Sequence, residues 1–271
     1  MPILSVPGLG AIGYDDTRGR GPVIALIHGS PGTSRAWQAV GERLAAGFRV
    51  VAPNLPGYDT TPRPAADPAG DSSYAARLIE ALIEEVGEPA VLAGHSYGGV
   101  VALMSALRGR IKPRALALFE PVAVPVLAAV GDGEGFAASR ALFEGYCAAF
   151  DGGDHEAARI MVDYWFGAGA FARMPPPVRE FLVGHTAQNV RDVRATFRDA
   201  YPPAALRALP MPVLCAYGSR SPAVMVRIVE AITGLVPRGI IKTIENANHA
   251  MTTTHAPAVT ALITELAEER A

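Results

Sequence analysis

Apolar runs and amphipathic stretches alternate along most of this chain. Residues 23–27 (VIALI) are apolar throughout and bounded by Gly21-Pro22 and His28-Gly29, the pattern of a strand buried on both faces. Residues 49–52 (RVVA), 90–93, 115–119 (ALALF), 213–217 (VLCAY) and 240–244 read as strands of the same kind. Helical spacings lie between them. Residues 35–46 place Trp37, Val40, Leu44 and Ala45 on one side, with Ser34 in the N-cap position. Residues 74–86 put Leu78, Leu82 and Val86 on one stripe, and 97–108, 223–235 and 256–269 also read as helices. Residues 11–14 form an early strand that Gly13 weakens. Alternation of apolar strands with helices predicts an α/β fold, a mostly parallel central sheet with helices on both faces. Ligands of such sheets bind beyond the carboxyl ends of the strands, so chemistry is sought in the residues just after each one.

The alternation stops between residues 122 and 209. That stretch offers helical segments near 136–150, 155–166, 177–185 and 189–200, separated by Gly and Pro. It predicts a core domain of residues 1–121 and 210–271 with an inserted helical cap over 122–209, against the plainer reading of one more helical layer. Trp165 and Phe166 end a helix before Gly167-Ala168-Gly169, which reads as a mobile lid edge.

Composition narrows the function classes. With 271 residues, half of them hydrophobic, the chain can bury one large core. A net charge of −2 and the lack of any basic cluster exclude nucleic acid and anionic membrane surfaces as expected partners. The most apolar long stretch, 115–130, is interrupted by Glu120, Pro121 and Pro125 and is too short to span a bilayer. The N-terminus has neither the basic start nor the apolar run of a signal peptide, so a cytoplasmic protein is expected. Cys147 and Cys215 lie far apart without metal-ligand spacing and read as free buried thiols. Neither a metal motif nor a nucleotide loop is present, and no cofactor is expected.

The chemistry-bearing residues cluster after predicted strands. Gly94-His95-Ser96-Tyr97-Gly98 fits Gly-x-Ser-x-Gly, directly after a strand and directly before a helix. That context would lift the Ser96 hydroxyl above the sheet and set the helix N-terminus behind it. The bland alternative is a glycine-rich turn whose serine caps a helix. His28-Gly29-Ser30-Pro31-Gly32 follows the strand at 23–27, and Asn248-His249 follows the strand at 240–244 by a short loop. Together with Pro53-Asn54-Leu55-Pro56-Gly57-Tyr58, these motifs make the chain resemble the α/β-hydrolase superfamily everywhere outside 122–209.

The resemblance implies a nucleophile at Ser96, a general base at His249, and an oxyanion hole made by the backbone N–H groups of Ser30 and Tyr97. It leaves His28 as a shaper of its loop and His255 as a residue at the start of the last helix. It also disfavours haloalkane dehalogenase and epoxide hydrolase chemistry, which resembles attack by Asp rather than Ser. The acid departs from the usual pattern. Its common place, a Gly-x-x-Asp turn, reads here Gly218-Ser219-Arg220-Ser221, with uncharged Ser221 at the acid position. A second place exists after the strand that follows the nucleophile helix, and Glu120 stands there. Glu120 is therefore the expected third member, unless it pairs with a cap arginine or faces solvent, leaving a Ser–His dyad. The expected activity is hydrolysis of a carboxylic ester or related acyl compound through an acyl-serine. Lactone or C–C cleavage, or a non-catalytic ligand receptor, are the alternatives. The expected partner is a small, apolar acyl substrate, with Trp165, Phe166 and Tyr146 as candidate pocket residues; the sequence is silent on oligomeric state.

Overall fold

The structure is a computed structural model that describes residues 1–63 and 70–268. Its centre is an eight-stranded sheet of β1 (Ile3–Val6), β2 (Gly10–Asp16), β3 (Val23–Ile27), β4 (Arg49–Pro53), β5 (Val91–His95), β6 (Ala115–Phe119), β7 (Val213–Gly218) and β8 (Gly239–Ile244). The order is β1-β2-β4-β3-β5-β6-β7-β8. The first two strands pair antiparallel, and all pairings from β4 to β8 are parallel. Strands β3 to β7 are buried on both faces, and their residues alternate between two cores, while β8 at the sheet edge alternates exposed and half-buried positions. Ala25 and Ile27 of β3, Leu92 of β5, and Leu116 and Leu118 of β6 belong to one core. Ile24, Leu26, Val91, Ala93, Ala115, Ala117 and Phe119 belong to the other. This two-sided burial is why these strands read as unbroken apolar runs.

Helices α2 (Ser73–Val86), α3 (Tyr97–Arg108) and α11 (Ala223–Leu235) cover the first face, and α1 (Gln38–Leu44) and α13 (Ala256–Glu268) the second. The expected end of the last helix at Glu269 lies outside the described residues. Seven helices run between β6 and β7: α4 (Pro125–Ala129), α5 (Gly133–Asp151), α6 (Ala158–Phe166), α7 (Ala170–Arg173), α8 (Pro176–Gly184), α9 (Thr186–Arg198) and α10 (Pro203–Arg207). One further short helix, α12 (Met251–Thr254), precedes α13.

Two sequence expectations need correction. Ser34 does not cap a helix. It opens a 3-10 turn, Ser34–Trp37, and its hydroxyl donates to Asp15 Oδ2 at 2.6 Å instead. Gly13 does not weaken its strand, because a Cβ there would stand 1.9 Å from Thr60 Oγ1; glycine lets the loop after β4 close onto β2. After Phe166, the Asp163 carboxylate accepts the backbone N–H groups of Gly169 at 3.0 Å and Phe171 at 2.9 Å. Both cysteines are free and buried. Among the described residues, no helix is long and apolar enough to cross a membrane.

Candidate active site

Parallel pairing sets the site by aligning strand ends. Ile27 pairs with Gly94, His95 with Phe119, and Phe119 with Ala216, so the residues after β3, β5, β6 and β7 converge at one edge. The chain reverses direction across the sheet between β3 and β5, and Ser96 sits at that switch point. Ser96 has φ +54°, a backbone conformation uncommon outside glycine. Its neighbours permit this. A Cβ on Gly94 would lie 2.2 Å from the Gly98 carbonyl oxygen, and a Cβ on Gly98 2.3 Å from those of Ile27 and His28. Tyr97 opens α3, so its N–H is among the groups that find no acceptor inside the helix.

His249 lies in the turn between β8 and α12. Its Nε2 stands 3.0 Å from Ser96 Oγ and its Nδ1 2.7 Å from Glu120 Oε2. With Glu120 ionised, Nδ1–H donates to the carboxylate and Nε2 is left to accept the Ser96 proton. Glu120 is fully buried, directly after β6, with φ +46°. Its other oxygen accepts the Gly218 N–H at 2.8 Å and the Ser221 hydroxyl. Burial pushes its pKa up, but the hydrogen bonds from His249, Ser221 and Gly218 outweigh burial and hold it below the ordinary glutamate value. Ser221, at the family's common acid position, thus hydrogen-bonds the Glu120 carboxylate. Arg220 turns away and donates to Asn246 Oδ1 at 2.9 Å.

The remaining histidines divide cleanly. His28 is fully buried, its Nδ1 on Gly29 O at 2.7 Å and its Nε2 accepting the Leu55 N–H at 2.9 Å. Burial lowers its pKa to about 4, so it is neutral and braces two loops. His95 is lowered to about 3, again chiefly by burial, and its ring tilts against His249 at 4.8 Å. His255 contacts Thr254 Oγ1 at 2.8 Å and is absent from the cavity lining.

A cavity of about 400 Å³ opens over Ser96. Ser30, Tyr97, Tyr146, Trp165 and Phe166 all line it. Trp165 does more than form a wall: its ring lies flat on the His249 imidazole, 4.0 Å between centroids and 11° between planes. Of the other aromatic residues between 122 and 209, Phe181 lines the cavity, while Phe171 packs in a separate small core. Sequence reading missed a polar corner of this cavity. Tyr146 Oη donates to Asn189 Oδ1 at 2.7 Å, and Asn189 Nδ2 donates to Ser30 Oγ at 2.8 Å. Ser30 Oγ donates to Asp192 Oδ2 at 2.7 Å. The available signal was on α9, where Thr186, Asn189, Asp192 and Thr196 recur at helical spacing and form a buried polar stripe. Among the described residues, no group of three His, Cys, Asp or Glu side chains is placed to hold a metal ion.

Residues 24–262 match the sequence model of the Alpha/beta hydrolase family. Two curated relatives match over shorter stretches. Epoxide hydrolase A of Mycobacterium tuberculosis is 35% identical over 106 residues, 38% of this chain and 33% of that protein. The pimeloyl-[acyl-carrier protein] methyl ester esterase of Vibrio vulnificus is 38% identical over 96 residues, 34% of this chain and 33% of that protein. The chain therefore matches about a third of the length of each. Among solved structures, an esterase from Rhodococcus sp. ECU1013 superposes with a TM-score of 0.73 at 24% identity, covering 98% of both chains, a likeness of fold.

Proposed function

The chain belongs to the alpha/beta hydrolase family, and from that premise we propose that it is a serine hydrolase cleaving a carboxylic ester or related acyl compound through an acyl-Ser96 intermediate. The observation that carries this reading is the continuous chain Ser96 Oγ–His249–Glu120, with both contacts at 3.0 Å or less, at the floor of a cavity. Ser96 Oγ attacks the acyl carbon while His249 Nε2 takes its proton. The oxygen that becomes negative lies against the N–H groups of Ser30 and Tyr97, each contributing on the order of 3 kcal/mol. His249 returns the proton to the leaving alcohol. A water molecule, deprotonated by the same imidazole, then releases the acid and restores Ser96. Glu120 keeps Nδ1 protonated and stabilises the imidazolium in both steps. The helices of residues 122–209 act as the cap, supplying Trp165, Phe166 and Tyr146 to the pocket.

A serine in the nucleophile position favours acyl transfer over the epoxide opening named for one relative. An uncharged residue at 221 would favour the receptor alternative, and the Glu120–His249 contact weighs against it. Lactone and C–C bond cleavage use the same residues, so product identity separates them from ester cleavage. The test is a panel of 4-nitrophenyl esters of increasing chain length, with Ser96→Ala as the blank and a serine-directed phosphonate as label. Turnover of at least one ester above the blank, with labelling confined to Ser96, is expected. A wild-type protein that neither labels nor turns over any activated ester refutes the reading.

A further inference from the structure

The cavity lining divides by chemistry. Met161, Val162, Phe166, Val178, Phe181 and Leu182 give an apolar wall. The polar corner holds Asp192, the one acidic side chain in the lining, which contains neither lysine nor arginine among the described residues. His95, kept neutral by burial, brings no positive charge. Asp192 is 3% exposed. Its carboxylate accepts from Ser30 Oγ at 2.7 Å, Tyr58 Oη at 2.9 Å and Gln188 Nε2 at 2.8 Å, with Arg63 Nη1 at 3.4 Å. Tyr58, Gln188 and Arg63 do not line the cavity, so Arg63, the one cation on this carboxylate among the described residues, meets it from outside the lining. Burial raises the Asp192 pKa to about 6, against the lowering by Arg63 and the hydrogen bonds. Above that pH it is an anion on the cavity wall.

With four donors around it, Asp192 has no oxygen to spare for a substrate. It acts by its field. In a cavity with low-dielectric walls, a second negative charge several ångströms away is strongly disfavoured. Resting on the acyl-hydrolase reading above, we propose that the site takes uncharged acyl substrates and rejects those bearing a carboxylate or phosphate in the acyl chain, with Asp192 as the specificity-determining residue. The same charge bears on the transition-state oxyanion of every ester alike. A comparison of two substrates therefore isolates its effect on the substrate's own charge.

The experiment compares mono-4-nitrophenyl adipate with the 4-nitrophenyl ester of adipic acid monoamide, a neutral match in size, at pH 7.5 against the Ser96→Ala blank. The expected kcat/KM of the carboxylate is lower by at least about tenfold, equivalent to about 1.4 kcal/mol. Asp192→Asn is expected to narrow the ratio at least threefold, about 0.7 kcal/mol. Val178→Arg, at a lining position 43% exposed, supplies a second variant if the first does not fold, and is expected to narrow it in the same direction. Turnover of both esters within a factor of two in the wild type overturns the proposal and leaves the hydrolase reading standing. A wide ratio that neither variant narrows removes Asp192 as its source. Cleavage of neither ester overturns the proposal, and the hydrolase reading falls with it only where the 4-nitrophenyl panel and the phosphonate label fail as well.

Discussion

At the residue scale, the telling exchange is between Glu120 and Ser221. The family's common acid place is 221 and its second place is 120; here the Ser221 hydroxyl donates to Glu120 Oε1 while Glu120 Oε2 holds His249. Both positions therefore face one carboxylate site, and one charge suffices for it. Glu120→Gln is expected to lower kcat on an activated ester by about a hundredfold or more, because the amide neither fixes the imidazole tautomer nor stabilises its charged form. Ser221→Asp in the wild-type background sets two carboxylates together and is expected to lower activity. In the Glu120→Gln background the same substitution is expected to restore part of it. Steady-state kinetics on the four proteins check this, and equal harm from Ser221→Asp in both backgrounds sinks it. Ser96, His249 and Glu120 were legible because each follows a strand that apolar patterning locates. Asp192 and the Trp165 stack on His249 were not. They come from helices packed onto the core, and nothing local in the sequence says which core residue a helix will meet.

At the element scale, the turn from β5 into α3 carries the largest constraint. Ser96 holds its positive φ because α3 starts hard against β3, with Gly98 against the carbonyl oxygens of Ile27 and His28. Those oxygens are backbone and cannot swing aside. Gly98→Ala is expected to cost about 2 kcal/mol or more of stability, the scale of an overpacked core site. It is also expected to lower activity far more than a stability loss of that size accounts for, since α3 and its first N–H must shift. Denaturant midpoints and kinetics on the folded fraction test it; a variant of wild-type stability and rate contradicts the geometry. Elements were read well where they were long. Strand β6 and helices α3 and α11 have the expected bounds, and the expected helix at 189–200 is α9, starting three residues earlier. Strand β1 escaped because it has four residues at the sheet edge and buries none of them completely. Helices α4, α7, α10 and α12 have four or five residues each, too few for a 3.6-residue period to show.

At the scale of the whole molecule, buried ionisable groups oppose one another across pH. His28 and His95 are held to about 4 and about 3 by burial. Below about pH 6.5 the unfolded chain takes up protons that these rings refuse, so their contribution to stability is lost as pH falls. Asp192 and Asp199 are raised to about 6 and about 7, again by burial first. The unfolded chain releases their protons near pH 3.8 while the folded chain keeps them, so stability is lost as pH rises from there to about 7. Each shift is two to three units or somewhat more, roughly 3–5 kcal/mol at 1.36 per unit, and the two trends offset between about pH 4 and 6.5. Asp199 is the clean place to unbalance them. It lies outside the cavity lining, accepts the Ser72 N–H at 2.9 Å and the Ser72 hydroxyl at 2.7 Å, and so holds the start of α2. Asn keeps an acceptor for that N–H without the buried charge. Asp199→Asn is therefore expected to be more stable than wild type at pH 7.5, by about 2 kcal/mol, with the advantage shrinking to nothing near pH 4. Urea unfolding of the two proteins at several pH values measures the difference directly. A difference that stays constant across that range would show that burial does not raise the Asp199 pKa above that of the unfolded chain.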